Sequence, residues 1–363
     1  MSGAFPLEPR VEWGDLGTPA GTSWEAVDAV ASAFVGRPVV GLPSVRVGLG
    51  WALQHLGAVR HRDHVLVPRF MGRCILNALS RHALPVETAT PATRAVISVD
   101  QFGLRHDAAS VAAACRREGW ALLEDSPCGV AIDEAPAPGA LVRFVGLAKA
   151  LPVVQGALAV SDSPEILAFI RAQRGVDSGW SWGAWLAMLG QRRRRHAIGY
   201  SAVADLAYEA YPLGRGGNPW LRANVRRVLD RAAAIAEVHA RRLAAIRDRL
   251  GARVLLPDVA RLAYVVPYVV GDAPEAARAV FRREGFDDAV YHVDVARNLL
   301  APRWQKALLI PLNVRIADAR FGALVGSLAD LDAEPPGVPP LASVTTQHHL
   351  IGSEHETSRR RSE

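Results

Sequence analysis

Of the 42 basic residues in this 363-residue chain only two are lysines, Lys149 and Lys306, so the other forty are arginine. A guanidinium supplies charge and hydrogen bonds, but its pKa above about 12 keeps it from losing a proton to attack a carbonyl; a lysine amine can. A lysine retained in such a chain therefore points to amine chemistry before surface charge. Lys306, in Arg303-Trp304-Gln305-Lys306, has polar neighbours and reads as a surface residue. Lys149 instead follows the apolar run Val142-Arg143-Phe144-Val145-Gly146-Leu147-Ala148. Upstream by 24 residues, Ala121-Leu122-Leu123 runs into Glu124-Asp125 and the turn Ser126-Pro127-Cys128-Gly129. An acid and an amine thus fall at the ends of two apolar segments.

Those segments belong to an α/β pattern. From Val39 to Val160 helical stretches alternate with short β-branched runs, as in a mostly parallel sheet. The spacing predicts helices over Val45–Leu56, Arg73–His82 and Ala108–Glu118. It predicts strands at His64–Val67, Pro85–Glu87, Ala95–Val99 and Trp120–Glu124, then a pair at Leu141–Val145 and Gly156–Val160. Pro164–Gly199 reads as helical and tryptophan-rich, ending in Arg192–Arg195, a run that suits a solvated helix face or an anionic contact. One long helix is expected over Pro219–Leu250. A compact α+β unit follows, with strands Leu262–Val270 and Ala307–Pro311 and helices Ala273–Glu284 and Ala319–Leu331. The expected organisation is a large domain over 1–225, a smaller one over 226–333 and a disordered tail over 334–363, Pro-rich and then polar.

In open α/β sheets ligands sit outside the carboxyl ends of the strands. Asp125 and Lys149 at two successive ends match the needs of pyridoxal 5'-phosphate (PLP). The lysine would form the Schiff base and shuttle a proton, and the carboxylate would pair with the pyridinium nitrogen.

An ordered set of segments sharpens this reading: Ser44-Val45-Arg46-Val47-Gly48-Leu49, Asp63-His64-Val65-Leu66-Val67-Pro68, Phe102-Gly103, Leu123-Glu124-Asp125 and Leu147-Ala148-Lys149-Ala150-Leu151-Pro152-Val153, followed by Gly156-Ala157-Leu158. Over roughly Val39 to Leu331 the chain resembles the DegT-type sugar aminotransferases. The resemblance implies a fold-type-I PLP enzyme with a seven-stranded-type, mostly parallel sheet between helices and a smaller C-terminal α+β domain. It places Lys149 on the family's Schiff-base lysine and Asp125 on the pyridinium partner. Ser44, Val45 and Arg46 fall on the loop whose backbone N–H groups and helix dipole bind the cofactor phosphate, although Ser44 also reads as a plain N-cap. Phe70 or Met71 falls where a ring covers the PLP face, and Asn218 near the region that reaches a neighbouring subunit's phosphate. The resemblance further implies a homodimer with shared active sites and an amino donor such as glutamate or glutamine. The acceptor would be a keto sugar or cyclic ketone.

The chain also departs from the family pattern. Cys128 stands where a glutamine or histidine near the cofactor's 3-oxygen is common, Gly146 where a phosphate-contacting serine is common, and Gly156-Ala157 in place of a glycine pair. Two alternatives stay open: a PLP enzyme of this fold performing dehydration, elimination, decarboxylation or C–C bond formation, and a non-catalytic binding protein.

The rest of the sequence narrows the classes. His61, His64, His82, His106 and His348-His349 lack metal-ligand spacing; Gly214-Arg215-Gly216-Gly217-Asn218 lacks the Lys-Ser/Thr of a P-loop; no GxSxG occurs. Cys74, Cys115 and Cys128 suit neither a disulfide framework nor a CxxC site and read as core residues. A net charge of +6 is spread along the chain without an aromatic-interleaved stripe, so nucleic acid is not the expected partner. With no charged leader before an apolar stretch and no long apolar span, a cytoplasmic protein is expected.

Overall fold

A computed structural model of the chain describes residues 7, 9–18, 20, 22–130, 135–175, 179–193, 217–256 and 262–333. The expected tail 334–363, Arg194-Arg195 and Gly214-Arg215-Gly216 lie outside the described residues.

The large sheet is built from β1 (Val39–Leu42), β2 (His64–Leu66), β3 (Leu84–Val86), β4 (Thr93–Val99), β5 (Ala121–Ser126), β7 (Ala140–Gly146) and β8 (Ala157–Val160). Their order is β1-β8-β7-β5-β4-β2-β3. The run from β7 to β3 is parallel, while β8 is antiparallel to both β7 and β1. The near-continuous apolar runs of β4 and β8 reflect burial on both faces. On one face lie α2 (Val45–His55), α3 (Arg73–Leu79) and α5 (Pro164–Gln173); α4 (Ala108–Glu118) covers Val96 and Leu122 on the other. Gly48 lets α2 approach the sheet closely, because a Cβ there would meet the Phe144 ring at 2.5 Å.

Helix α1 (Trp24–Val35) and strand β1 are among the elements that were not apparent from the sequence. The helix starts at Ser23, whose hydroxyl accepts from Ala26 N–H, and stops at Gly36 in the left-handed region. Its neighbour β1 closes the sheet beyond β8. Helix α6 covers Gly179–Arg193.

The expected helix Pro219–Leu250 is two helices, α7 (Pro219–Leu229) and α8 (Ala232–Leu250). The break falls where Arg231 leaves helical backbone and its guanidinium meets Asp15 at 3.1 Å. Asp15 is almost fully buried and also pairs with Arg315 at 2.7 Å, tying the start of the chain to the α7–α8 joint and to the segment that follows Pro311.

The expected strand Leu262–Val270 is likewise divided. β9 (Leu262–Ala263) pairs with β6 (Gly129–Val130), and β10 (Val265–Val269) joins β12 (Trp304–Pro311) and β11 (Tyr291–Asp294) in a three-stranded antiparallel sheet ordered β10-β12-β11. The switch is at Tyr264, which donates its N–H to Cys128 O and accepts from Leu312 N–H. With α9 (Glu275–Arg283) and α10 (Asp318–Ala333), this sheet encloses a core around Tyr268, Phe281 and Ile310.

Candidate active site

β5 extends to Ser126, two residues beyond its predicted end, so Asp125 lies within the strand. Side chains alternate along a strand. Leu123 and Asp125 therefore face the α2–α3 side, while Glu124 and Ser126 face the α4 side. There Ser126 donates to Asp100, and Arg143 reaches Ser126 Oγ and Asp100 Oδ2, each at 2.8 Å.

Lys149 lies on the connection between antiparallel β7 and β8. Leu147 N–H donates to Gly156 O at 3.1 Å, and Leu151 N–H to Leu147 O at 2.9 Å. Val154 N–H donates to Asn224 Oδ1 of α7 at 2.8 Å. Leu151, Val153 and Val154 are fully buried. Gly156, at φ +146, passes so close to α7 that a Cβ would lie 2.7 Å from Val225 Cγ2. The lysine is thus carried on a short loop fixed at both ends.

Asp125 and Lys149 line one cavity of about 320 Å³, together with Phe70, Met71 and Cys128. Lys149 Nζ lies 3.5 Å from Cys128 Sγ and 5.7 Å from the centre of the Tyr264 ring. Asp125 is 2% exposed, and its Oδ1 has no hydrogen-bond partner among the described residues. Burial pushes its pKa up to about 7; the Lys149 charge opposes that shift and Asp100 adds to it. An isolated buried carboxylate is costly unless something pairs with it. Burial also raises the Cys128 thiol, against the pull of Lys149.

Ser44, Val45 and Arg46 form the start of α2 and are not among the cavity-lining residues. Ser44 Oγ accepts from Val47 N–H at 3.4 Å, so it is an N-cap. Val45 borders the cavity wall through its neighbours: a Cβ on Gly146 would sit 3.2 Å from Pro127 Cα and 3.4 Å from Val45 Cγ2. Asn218 is also a cap; fully buried, it accepts from Leu221 N–H at 2.9 Å and does not line the cavity. Phe70 lines the cavity but is 48% exposed and stacks face to face on His292 of β11, with ring centres 4.4 Å apart.

Several lining residues were not singled out from the sequence. Tyr291 and Trp304 come from the small sheet, and Gln101 and His106 from the segment after β4. Phe102, part of the family pattern, sits edge-on to Tyr291 at 5.9 Å. His106 is buried beside Asp294, Nε2 to Oδ2 3.8 Å, and burial lowers its pKa. Of the cysteines expected in the core, Cys115 and Cys128 are buried, but Cys74 is only half-buried and, like Cys128, faces the cavity. The structure adds that Phe70 and Phe102 both hold left-handed backbone, at φ +61 and +56, a conformation that non-glycine residues adopt at some cost and often at functional sites.

No protein-family model matches the chain, and no curated sequence matches it. Solved structures do. DesI, determined with its TDP-sugar product, shares 16% identity over 92% of this chain and 95% of its own, with a TM-score of 0.60. The aminotransferase TlmJ from Streptoalloteichus hindustanus shares 18% over 91% and 100%, with a TM-score of 0.59. The chain has the fold-type-I fold. Spr1654 from Streptococcus pneumoniae, in its PMP form, matches at 12% identity over 91% and 99%, with a TM-score of 0.60. At these identities the likeness is one of architecture. Among the described residues, no helix is long and apolar enough to cross a membrane, and no group of three or more His, Cys, Asp or Glu could hold a metal.

Proposed function

We propose that the chain is a PLP-dependent aminotransferase-like enzyme moving an amino group from an amino acid of the glutamate or glutamine type to a keto sugar or cyclic ketone. The observation that carries this reading is the joint placement of Lys149 and Asp125 in one cavity, with a buried carboxylate oxygen that no side chain or backbone group among the described residues satisfies. The site fits the ring end of the cofactor on that ground: a pyridinium N–H would supply the missing partner of Asp125 Oδ1. The start of α2, where Val45 lies beside Gly146 and Arg46 follows it in the first turn, is the proposed phosphate end, where backbone N–H groups and the helix dipole favour an anion. When bound, PLP supplies an aldehyde for amine exchange and a ring that withdraws electrons.

The chain's own residues do the rest in this reading. Asp125 keeps a proton on the ring nitrogen, and Lys149 Nζ is covalent anchor and then proton carrier. Phe102 and Tyr291 narrow the cavity and exclude water. DesI with its TDP-sugar product supports a keto-sugar acceptor, and the PMP form of Spr1654 supports the cofactor. Residues 1–225 would then be the cofactor-binding domain and 226–333 the smaller one, in a cytoplasmic homodimer whose second copy reaches the phosphate through the region of Asn218.

The test is spectroscopic. PLP added to the purified protein is expected to give a visible absorbance that borohydride bleaches, with the reduced label on the Lys149 peptide. L-Glutamate or L-glutamine should then discharge the colour and release the 2-oxo acid. No absorbance, or a label elsewhere, overturns the reading; colour that neither amino acid discharges moves the chain to the non-transaminating chemistries.

A further inference from the structure

Among the described residues, β11 is the edge strand of the small sheet and pairs with β12 alone. An edge strand leaves backbone carbonyls and N–H groups unpaired on its outer side, and the C=O of one residue and the N–H of the residue two further on point the same way. On β11 these are His292 O and Asp294 N–H. Both are met by one side chain of the large domain: Gln101 Nε2 donates to His292 O at 2.8 Å, and Gln101 Oε1 accepts from Asp294 N–H at 3.3 Å. A primary amide presents its C=O and the N–H cis to it on the same side, as one residue of a parallel strand presents its own N–H and C=O. Gln101 therefore takes the place of a single residue of an added strand.

The contact matters because of what β11 brings to the cavity. Tyr291 sits edge-on to Phe102, and His292 stacks on Phe70. Gln101 itself lines the cavity that holds Lys149 and Asp125. A separate bond from Asp107 N–H to Arg297 O, 2.6 Å, secures the next segment, so loss of the amide would release β11 without detaching the small sheet.

We propose that Gln101 is a positioning residue that sets the spacing between the Phe102 wall and the Tyr291 wall, and hence the fit of the amino-acid and acceptor substrates. The inference rests on the aminotransferase reading. It assigns Gln101 to substrate fit and not to cofactor capture.

The experiment compares wild type with Gln101→Met, which keeps side-chain length and removes both hydrogen bonds. In the PLP-loaded enzymes, KM for L-glutamate in the half-reaction should rise about tenfold or more. kcat should stay within about threefold and the PLP dissociation constant within about twofold, the pattern of lost binding without lost chemistry. Hydrogen exchange over 291–294 should quicken in the variant while 304–311 keeps its rate. An unchanged KM, unchanged exchange on β11, or a parallel fall in PLP affinity and melting temperature overturns the proposal. A wild type that captures no PLP overturns the aminotransferase reading instead, and the two failures are told apart in the first spectrum.

Discussion

Lys149 Nζ lies 3.5 Å from Cys128 Sγ, at the wall of the cavity that both line. Burial holds the thiol above its ordinary pKa, so Cys128 stays neutral around physiological pH and offers the lysine a soft contact without an anionic charge. Asp125, in the same cavity, is a carboxyl group whose ionisation responds to Lys149. Where the resemblance to DegT-type aminotransferases implies a glutamine or histidine, this cavity has a small, polarisable side chain.

Replacing Lys149 by alanine should leave the fold intact and abolish the borohydride-sensitive absorbance. Lys306 is then the one remaining side-chain amine in the chain, and it sits half-exposed on β12, 4.0 Å from Asp272. Peptide mapping after reduction with PLP decides the matter: a label at the same peptide as in wild type sinks the assignment.

The titration of Asp125 gives a signed expectation for the cofactor-free protein. Its folded-state pKa, about 7, lies above the ordinary aspartate value of 3.8. Between these values the folded state binds more protons than the unfolded state, so the contribution of Asp125 to stability is full below pH 3.8 and is lost as pH rises to about 7. Urea unfolding at pH 5 and pH 8 should show that Asp125→Asn loses less stability over this interval than wild type. The same variant should bind PLP and turn over slowly; an unchanged half-reaction rate would remove Asp125 from its role at the ring nitrogen.

His239 in α8 is 1% exposed, and neither ring nitrogen has a partner among the described residues. Burial and then the charge of Arg242 lower its pKa from 6.5 to about 4. The unfolded chain takes up the proton first, so stability falls as pH drops from 6.5 towards 4. His239→Leu should gain about 1–2 kcal/mol near pH 7 by removing two unsatisfied polar atoms. It should also lose less in melting temperature between pH 7.5 and pH 5 than wild type; equal losses would falsify this account.

Gly48→Ala tests the seating of α2. With Phe144 2.5 Å from the new Cβ and Leu42 Cδ1 at 2.8 Å, either the helix or the ring must move, at about 1–3 kcal/mol. The proposed phosphate end starts on the same helix, so PLP affinity should fall along with stability. Equal PLP dissociation constants for the two proteins would separate α2 from the phosphate.

The parts of this molecule that were legible in the sequence share a physical reason. β4 and β8 carry apolar residues on both faces and cannot be mistaken for solvated segments, and Lys149 stood out because arginine replaces lysine almost everywhere else. β1 was missed because Val39–Leu42 is only four residues long, includes a glycine and lies between Pro38 and Pro43. β11 was missed because Tyr-His-Val-Asp has one fully apolar member and draws its stability from Gln101, 191 residues from His292 in sequence. Such a contact leaves no periodic trace. Ser44 and Asn218 show the reverse difficulty: both were marked by position, and both side chains serve their own helices as caps.

The loop that carries Lys149 has a consequence for how this molecule can vary over descent. Its ends are bonded together at Leu147 and Gly156, its middle is buried, and Asn224 holds Val154 from α7. Surface loops gain and lose residues readily because nothing packs on them. This one has no room to do so. Length changes between Leu147 and Gly156 should be absent among its descendants and its ancestors alike, so that ten-residue interval is a ruler by which distant kin can be aligned when overall identity has faded.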